Sequence, residues 1–300
     1  MGIKFRLIVM NFLQYAIWGS WLISLGAYLG GGLDFTGLQI GSFFATMGVA
    51  SLFMPAVMGI IADRWIPAQK LLGICHLVSG GFLIAAASQT AYGPLYSCML
   101  LSVMFYMPTI ALSNSVAYNA LDLARLDTVK HFPPIRVWGT VGFIAAMWFV
   151  DLTHIGGVQI KLTEWQLYVS AVLSFLLSVY SFSLPGCPVD RNVKARSWVD
   201  TLGLRAFTLF KEKRMAIFFV FSMLLGAALQ ITNAFGDSYI QSFGSMPQYA
   251  DSAIVKHSVI LLSLSQMSET LCILLIPFFL RRFGIKKVME QQAVTSGIIG

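Results

Sequence analysis

Met215-Ala-Ile-Phe-Phe-Val-Phe-Ser-Met-Leu-Leu-Gly-Ala-Ala-Leu-Gln230-Ile-Thr-Asn233-Ala-Phe-Gly236 runs for 22 residues without a charge, bounded by Arg214 and Asp237. A helix that crosses the hydrocarbon core of a bilayer needs about 20 residues of this kind, because no water is present there to satisfy exposed peptide groups. The stretch reads as a transmembrane helix, and it is one of a series. Working outward from it, comparable runs lie at about 7–29, 38–62, 71–89, 94–120, 133–154, 166–185 and 254–280, which with 215–241 makes eight spans. The whole chain has the same character: 57% of its 300 residues are hydrophobic and 11% charged, whereas a soluble domain carries about a quarter charged residues. Composition and pattern predict an all-α polytopic membrane protein.

The charges that remain are sorted. A net charge of +7 is compatible with nucleic-acid binding in a soluble protein, but here the basic residues sit in short clusters between apolar runs, the pattern of loops at a membrane surface. With a cytoplasmic N-terminus, 18 of the 20 Lys and Arg residues fall on the inner side and only Lys161 and Lys256 on the outer. The expected partner is the lipid bilayer, with no nucleic acid. A miscounted span would mix the two sides, so the tally supports the count independently of hydropathy. Cys75, Cys98, Cys187 and Cys272 show no C-x-x-C spacing and no cluster with histidine; neither a disulfide framework nor a metal site is implied, and no cofactor is expected.

One connection is long. Residues 186–214, rich in Lys and Arg, separate six spans from the rest, which predicts an N-terminal six-helix half (1–185), a cytoplasmic connection (186–214) and part of a second half (215–300). Two such halves around a midplane site are the layout of a secondary transporter. Gly59, Asp63 and Arg64 form a G-x-x-x-D-R pattern after the second span. It resembles the loop between the second and third helices of the major facilitator superfamily, where the glycine allows close helix packing and the charges stabilise one state of the cycle. The usual continuation is replaced here by Ile66-Pro67-Ala68-Gln69-Lys70.

Polar groups at bilayer depth are costly, so their positions are informative. Gln266 and Glu269 are three apart near the middle of the eighth span and share a helix face. Glu269 is the carboxylate nearest a span centre, a candidate to take up and release a proton, while Asp151 and Asp237 lie toward outer ends. Gln230 and Asn233 share a face of the seventh span; paired amides suit a neutral polar ligand such as a sugar or a nucleobase edge, and they also fasten helices together. Arg136, Thr140 and Phe143 follow i, i+4, i+7 on a fifth span that the prolines Pro133 and Pro134 place as starting at about 133. Asn11, Gln14, Trp18, Tyr106, Asn114 and Tyr118 line a cavity or bridge helices, and His76 reads as a packed or interfacial histidine. No nucleophile and base pair is evident, so no enzyme is expected.

Longer blocks sharpen the reading. Phe12-Leu-Gln-Tyr15-Ala-Ile-Trp18-Gly-Ser-Trp21, Phe132-Pro-Pro-Ile-Arg136-Val-Trp-Gly-Thr140, Phe221-Ser-Met-Leu-Leu-Gly-Ala-Ala-Leu-Gln230-Ile-Thr-Asn233 and Gln266-Met-Ser-Glu269-Thr270 resemble the bacterial nucleoside:H+ symporter family of the major facilitator superfamily, over about residues 5–289. The resemblance implies a carrier in the cell inner membrane that takes up nucleosides with protons by alternating access. It also implies substrate binding by Arg136, Thr140, Phe143, Gln230, Asn233, Gln266 and Glu269. That family has twelve helices where eight are read here, so a truncated form is expected, with a carrier for another neutral solute such as a sugar, or a membrane fragment without transport, as the alternatives.

Overall fold

The computed structural model describes residues 2–189, 210–249, 252–268 and 270–271. Among the described residues, helices occupy the predicted spans, the eighth of them (254–280) lying only partly among these residues: α1 (Ile3–Gly19), α2 (Leu25–Ala27), α3 (Gly37–Arg64), α4 (Ala68–Ala87), α5 (Tyr92–Leu123), α6 (Thr128–Leu152), α7 (Trp165–Ser181), α8 (Lys213–Ser242), α9 (Ala253–Lys256) and α10 (Ser258–Ser268). Five stretches, lying in α3, α4, α5 and α6 and at Met215–Ser245, are long and apolar enough to cross a membrane; α7 and α10 are shorter apolar helices. The described part of the predicted 186–214 connection ends at residue 189 and resumes at 210.

Two boundaries differ from the sequence reading, each for a local reason. The first span is not one helix: α1 ends at Gly19, a turn follows, and the chain continues through α2 into a π-helical turn at Tyr28–Gly32. Ser20 donates its hydroxyl to the Ala16 carbonyl at 2.7 Å, and a Gly-Ser pair with such back-bonding bends a helix. The fifth span begins earlier than the prolines suggested. Asp127 caps α6 by accepting the Val129 N–H at 2.9 Å, so Pro133 and Pro134 lie inside the helix and Arg136 stands two turns in. Pro55 and Pro108 likewise sit inside α3 and α5, which neighbouring helices tolerate in a membrane bundle.

α1 lies against α6, α4 against α5 and α7, and α3 against α5. The α1/α6 crossing is set by two glycines: a Cβ at Gly19 would overlap the Phe143 carbonyl, and one at Gly142 would overlap the Phe12 carbonyl. Small residues let transmembrane backbones approach and gain dispersion contacts where lipid offers no hydrophobic drive. Gly59, by contrast, has no described residue within 4 Å of where a Cβ would stand. Asp63 is exposed and makes no ion pair among the described residues, nor does Arg64.

Inside the N-terminal six helices, polar groups pair with one another. Gln14 donates to Thr109 Oγ1 at 2.7 Å and its carbonyl oxygen stands 2.8 Å from His76 Nε2, which therefore carries the proton. Tyr106 donates to the Gln14 backbone carbonyl at 2.6 Å. His76 is fully buried, a helix fastener as the sequence suggested. Ser170 and Ser178 on α7 donate to the carbonyls of Ile17 and Gly73, tying α7 to α1 and α4.

Candidate functional site

The stripe Arg136, Thr140, Phe143 runs along α6 beside α1. The Arg136 guanidinium carbon stands 3.8 Å from the centroid of the Tyr15 ring, a cation–π contact that holds a charge against an apolar wall. Two turns further along, Phe143 meets Trp18 edge-on, with centroids 6.4 Å apart. Trp18 also leans on Tyr106, centroids 5.9 Å apart. Arg136 and Phe143 are thus displaced by seven residues, about 10 Å at the helical rise, and both are held by α1. Phe143 is buried, while Arg136 and Thr140 are half-buried.

Trp18 stands in the wall of a cleft of about 530 Å³ between the N-terminal helices and α8. The cleft is apolar on the side of α3 and α5, where Phe44 and Met107 contribute, and α8 closes it with Gln230 and Phe235. Such a volume suits a small organic molecule, and apolar walls with a few placed polar groups are the usual composition of a ligand site. Two of the polar atoms here have no hydrogen-bond partner among the described residues: the Trp18 indole N–H and the Gln230 amide nitrogen.

The predicted residues are therefore partly assembled. Gln230 lines the cleft with Trp18, and Trp18 touches Phe143. Asn233, one turn on from Gln230, is half-buried and outside the cleft wall. Gln266 is half-buried on α10, its backbone carbonyl accepting the Thr270 hydroxyl at 2.9 Å. Glu269 lies outside the described residues. Trp18 was only a secondary candidate in the sequence, since a tryptophan within an apolar run carries no signal that separates packing from binding. Its aromatic neighbours Phe143 and Tyr106 come from other helices.

Known proteins agree with this architecture. The family described as Nucleoside H+ symporter matches residues 1–298. The xanthosine permease of Escherichia coli (strain K12) is 53% identical over 294 residues, which cover 98% of this chain and 69% of the relative. Nucleoside permease NupG of the same organism is 48% identical with the same coverage. A crystal structure of nucleoside transporter NupG superposes with a TM-score of 0.84 at 48% identity, covering 95% of this chain and 69% of that one. The fold is a major facilitator helical bundle, and the molecule is a multi-pass membrane protein of the transporter class. The chain belongs to the nucleoside H+ symporter family.

Proposed function

We propose that this chain carries nucleosides into the cell with protons, by alternating access of a site between its two halves, and that it does so as a carrier without catalysing a reaction. The observation that carries the reading is the cleft. Its lining includes Trp18, which Phe143 meets edge-on from α6, and Gln230, whose amide nitrogen has no partner among the described residues; Arg136 stands on the same helix as Phe143, seven residues earlier. A nucleoside is a flat base joined to a polyhydroxylated sugar. Aromatic faces stack on the base, and amides supply donors and acceptors together for base edges and ribose hydroxyls. No ligand charge is needed, in keeping with a wall that contributes none.

The substrate set then comprises Arg136, Thr140, Phe143, Gln230, Asn233, Gln266 and Glu269, with Glu269 as the group that takes up and delivers the proton. The halves are residues 1–185 and 215–300, joined by 186–214, and the N-terminus is cytoplasmic in the inner membrane. The loop of Gly59, Asp63 and Arg64 acts, in this reading, by biasing one state of the rocking cycle through partners that it meets in the other state.

Uptake of labelled uridine by cells making the chain, challenged with adenosine, xanthosine and a panel of sugars, tests the substrate class. Nucleosides compete and sugars do not; the reverse order overturns the assignment. In vesicles with an imposed pH gradient, Glu269→Gln abolishes gradient-driven accumulation while leaving nucleoside binding measurable. Coupling that persists in that variant removes Glu269 from the mechanism.

A further inference from the structure

At the end of the bundle away from the N-terminus, α6 finishes at Asp151 and Leu152 and the chain turns through a short hairpin, His154–Ile155 paired with Val158–Gln159. Gly156 and Gly157 make that turn at φ of 62° and 84°, a region that side-chain-bearing residues rarely adopt. The hairpin returns the chain to a 3-10 turn at Ile160–Leu162 and delivers Lys161 into the interior, where it is 1% exposed.

The Lys161 ammonium spends its donors on both halves of the molecule. It stands 2.6 Å from Asp151 Oδ1, donates to the Lys256 carbonyl at 2.8 Å and to Ser258 Oγ at 3.3 Å. The other Asp151 oxygen lies 2.7 Å from His257 Nδ1. Ser258 in turn donates to Asp237 Oδ1, and the second Asp237 oxygen accepts from Gln241 at 3.0 Å. Gln159 adds a bond to the Asp151 carbonyl at 2.9 Å and one to the Lys256 carbonyl at 3.3 Å. Asp151, Gln159 and Lys161 belong to the N-terminal six helices; Asp237, His257 and Ser258 belong to the segment after residue 215.

Beside this cluster the backbones meet. A Cβ on Gly26 would stand 2.5 Å from the Ala234 carbonyl, and Ser24, two residues earlier, donates to Gln166, whose amide bonds the Lys161 carbonyl at 3.0 Å. Ala234 also lines the cleft, so the helix crossing at Gly26 borders the cleft, and the Ser24–Gln166–Lys161 chain of bonds links it to the buried ion pair.

A buried pair of this kind adds little to net stability, because the cost of removing both charges from water consumes most of the attraction. The same balance suits a switch. When the halves part, both charges return to water and recover their hydration, so the two states stay close in free energy while either half-separated arrangement is penalised.

We propose that Lys161 is the bolt of an outer gate: clamped between Asp151 and the Lys256–Ser258 corner it closes the cleft to the exterior, and its release accompanies outward opening. The inference rests on the carrier reading above. It is tested in membranes holding the chain with Cys75, Cys98, Cys187 and Cys272 changed to alanine and a reporter thiol at Met47→Cys, a buried position in the cleft wall. A membrane-impermeant maleimide is applied from outside. Lys161→Met and Asp151→Asn raise the labelling rate about tenfold, as a shift of population toward the open state requires. His257→Ala, at a residue 36% exposed and so tolerant of change, raises it about threefold and keeps the test alive if the buried variants do not reach the membrane. Rates unchanged from the parent overturn the gate. Labelled uridine binding is read on the same membranes: a parent that gates but binds no nucleoside counts against the substrate class, and one that binds but whose accessibility ignores these residues counts against the gate.

Discussion

At the scale of single residues, the site is distinguished from the rest of the interior by what its polar atoms lack. Gln14 and Gln166 sit fully buried with their amides bonded to partners on other elements, and they act as fasteners. Gln230 Nε2 has no partner among the described residues although it stands at the cleft. An unpaired buried donor costs about 1–3 kcal/mol, and a ligand acceptor would remove that cost. Gln230→Leu therefore weakens nucleoside binding about tenfold or more, equivalent to about 1.4 kcal/mol, while the thermal midpoint of the detergent-solubilised protein holds or rises. A fall in midpoint with affinity preserved would make Gln230 one more fastener. The three-residue spacing of Gln230 and Asn233 told nothing of this difference, because both readings need the same spacing; only the cleft neighbour Trp18, 212 residues away in sequence, separates them.

Among elements, α6 matters most, since it carries Arg136, Thr140 and Phe143 and contacts α1 along the Gly142 and Gly19 seam. Its hydrophobic run was legible because lipid demands an unbroken apolar helix. Its start was not, because two adjacent prolines resemble a first turn and the true cap, Asp127, stands in a polar stretch without a hydrophobic signal. The same limit hid the break after Gly19, which depends on Ser20 bonding back to Ala16. Asp127→Ala removes the side-chain bond to the Val129 N–H and is expected to cost about 1 kcal/mol. The expected readout is a lower thermal midpoint, rescued by Asp127→Asn or Asp127→Ser. Because the cap lies nine residues from Arg136, nucleoside affinity measured well below the midpoint stays near the parent value. A loss of affinity without a loss of stability would show that the cap positions the binding stripe.

For the whole molecule, two charge patterns with different physics occupy opposite ends. The pattern at one end was readable as a count: 18 of 20 basic residues fall on one side of the predicted spans, and a count needs no particular partner to be read. The outer-end pattern was not, since Lys161 and Lys256 read as ordinary loop charges and Asp151 as a helix-end residue. Their meaning depends on a contact between Asp151 and His257, 106 residues apart. Both patterns make the same claim about orientation, and it is open to direct measurement. Val129, 83% exposed at the start of α6, and Val158, 46% exposed in the hairpin, lie at the two ends. In the cysteine-free background, Val129→Cys reacts with an impermeant maleimide only in inside-out vesicles and Val158→Cys only in right-side-out ones. Lys and Arg near span ends set orientation, so the inverse result would place the basic end outside. It would also move Lys161 to the cytoplasmic mouth, where a bolt would close the path into the cell and the order of the transport cycle would have to be reversed.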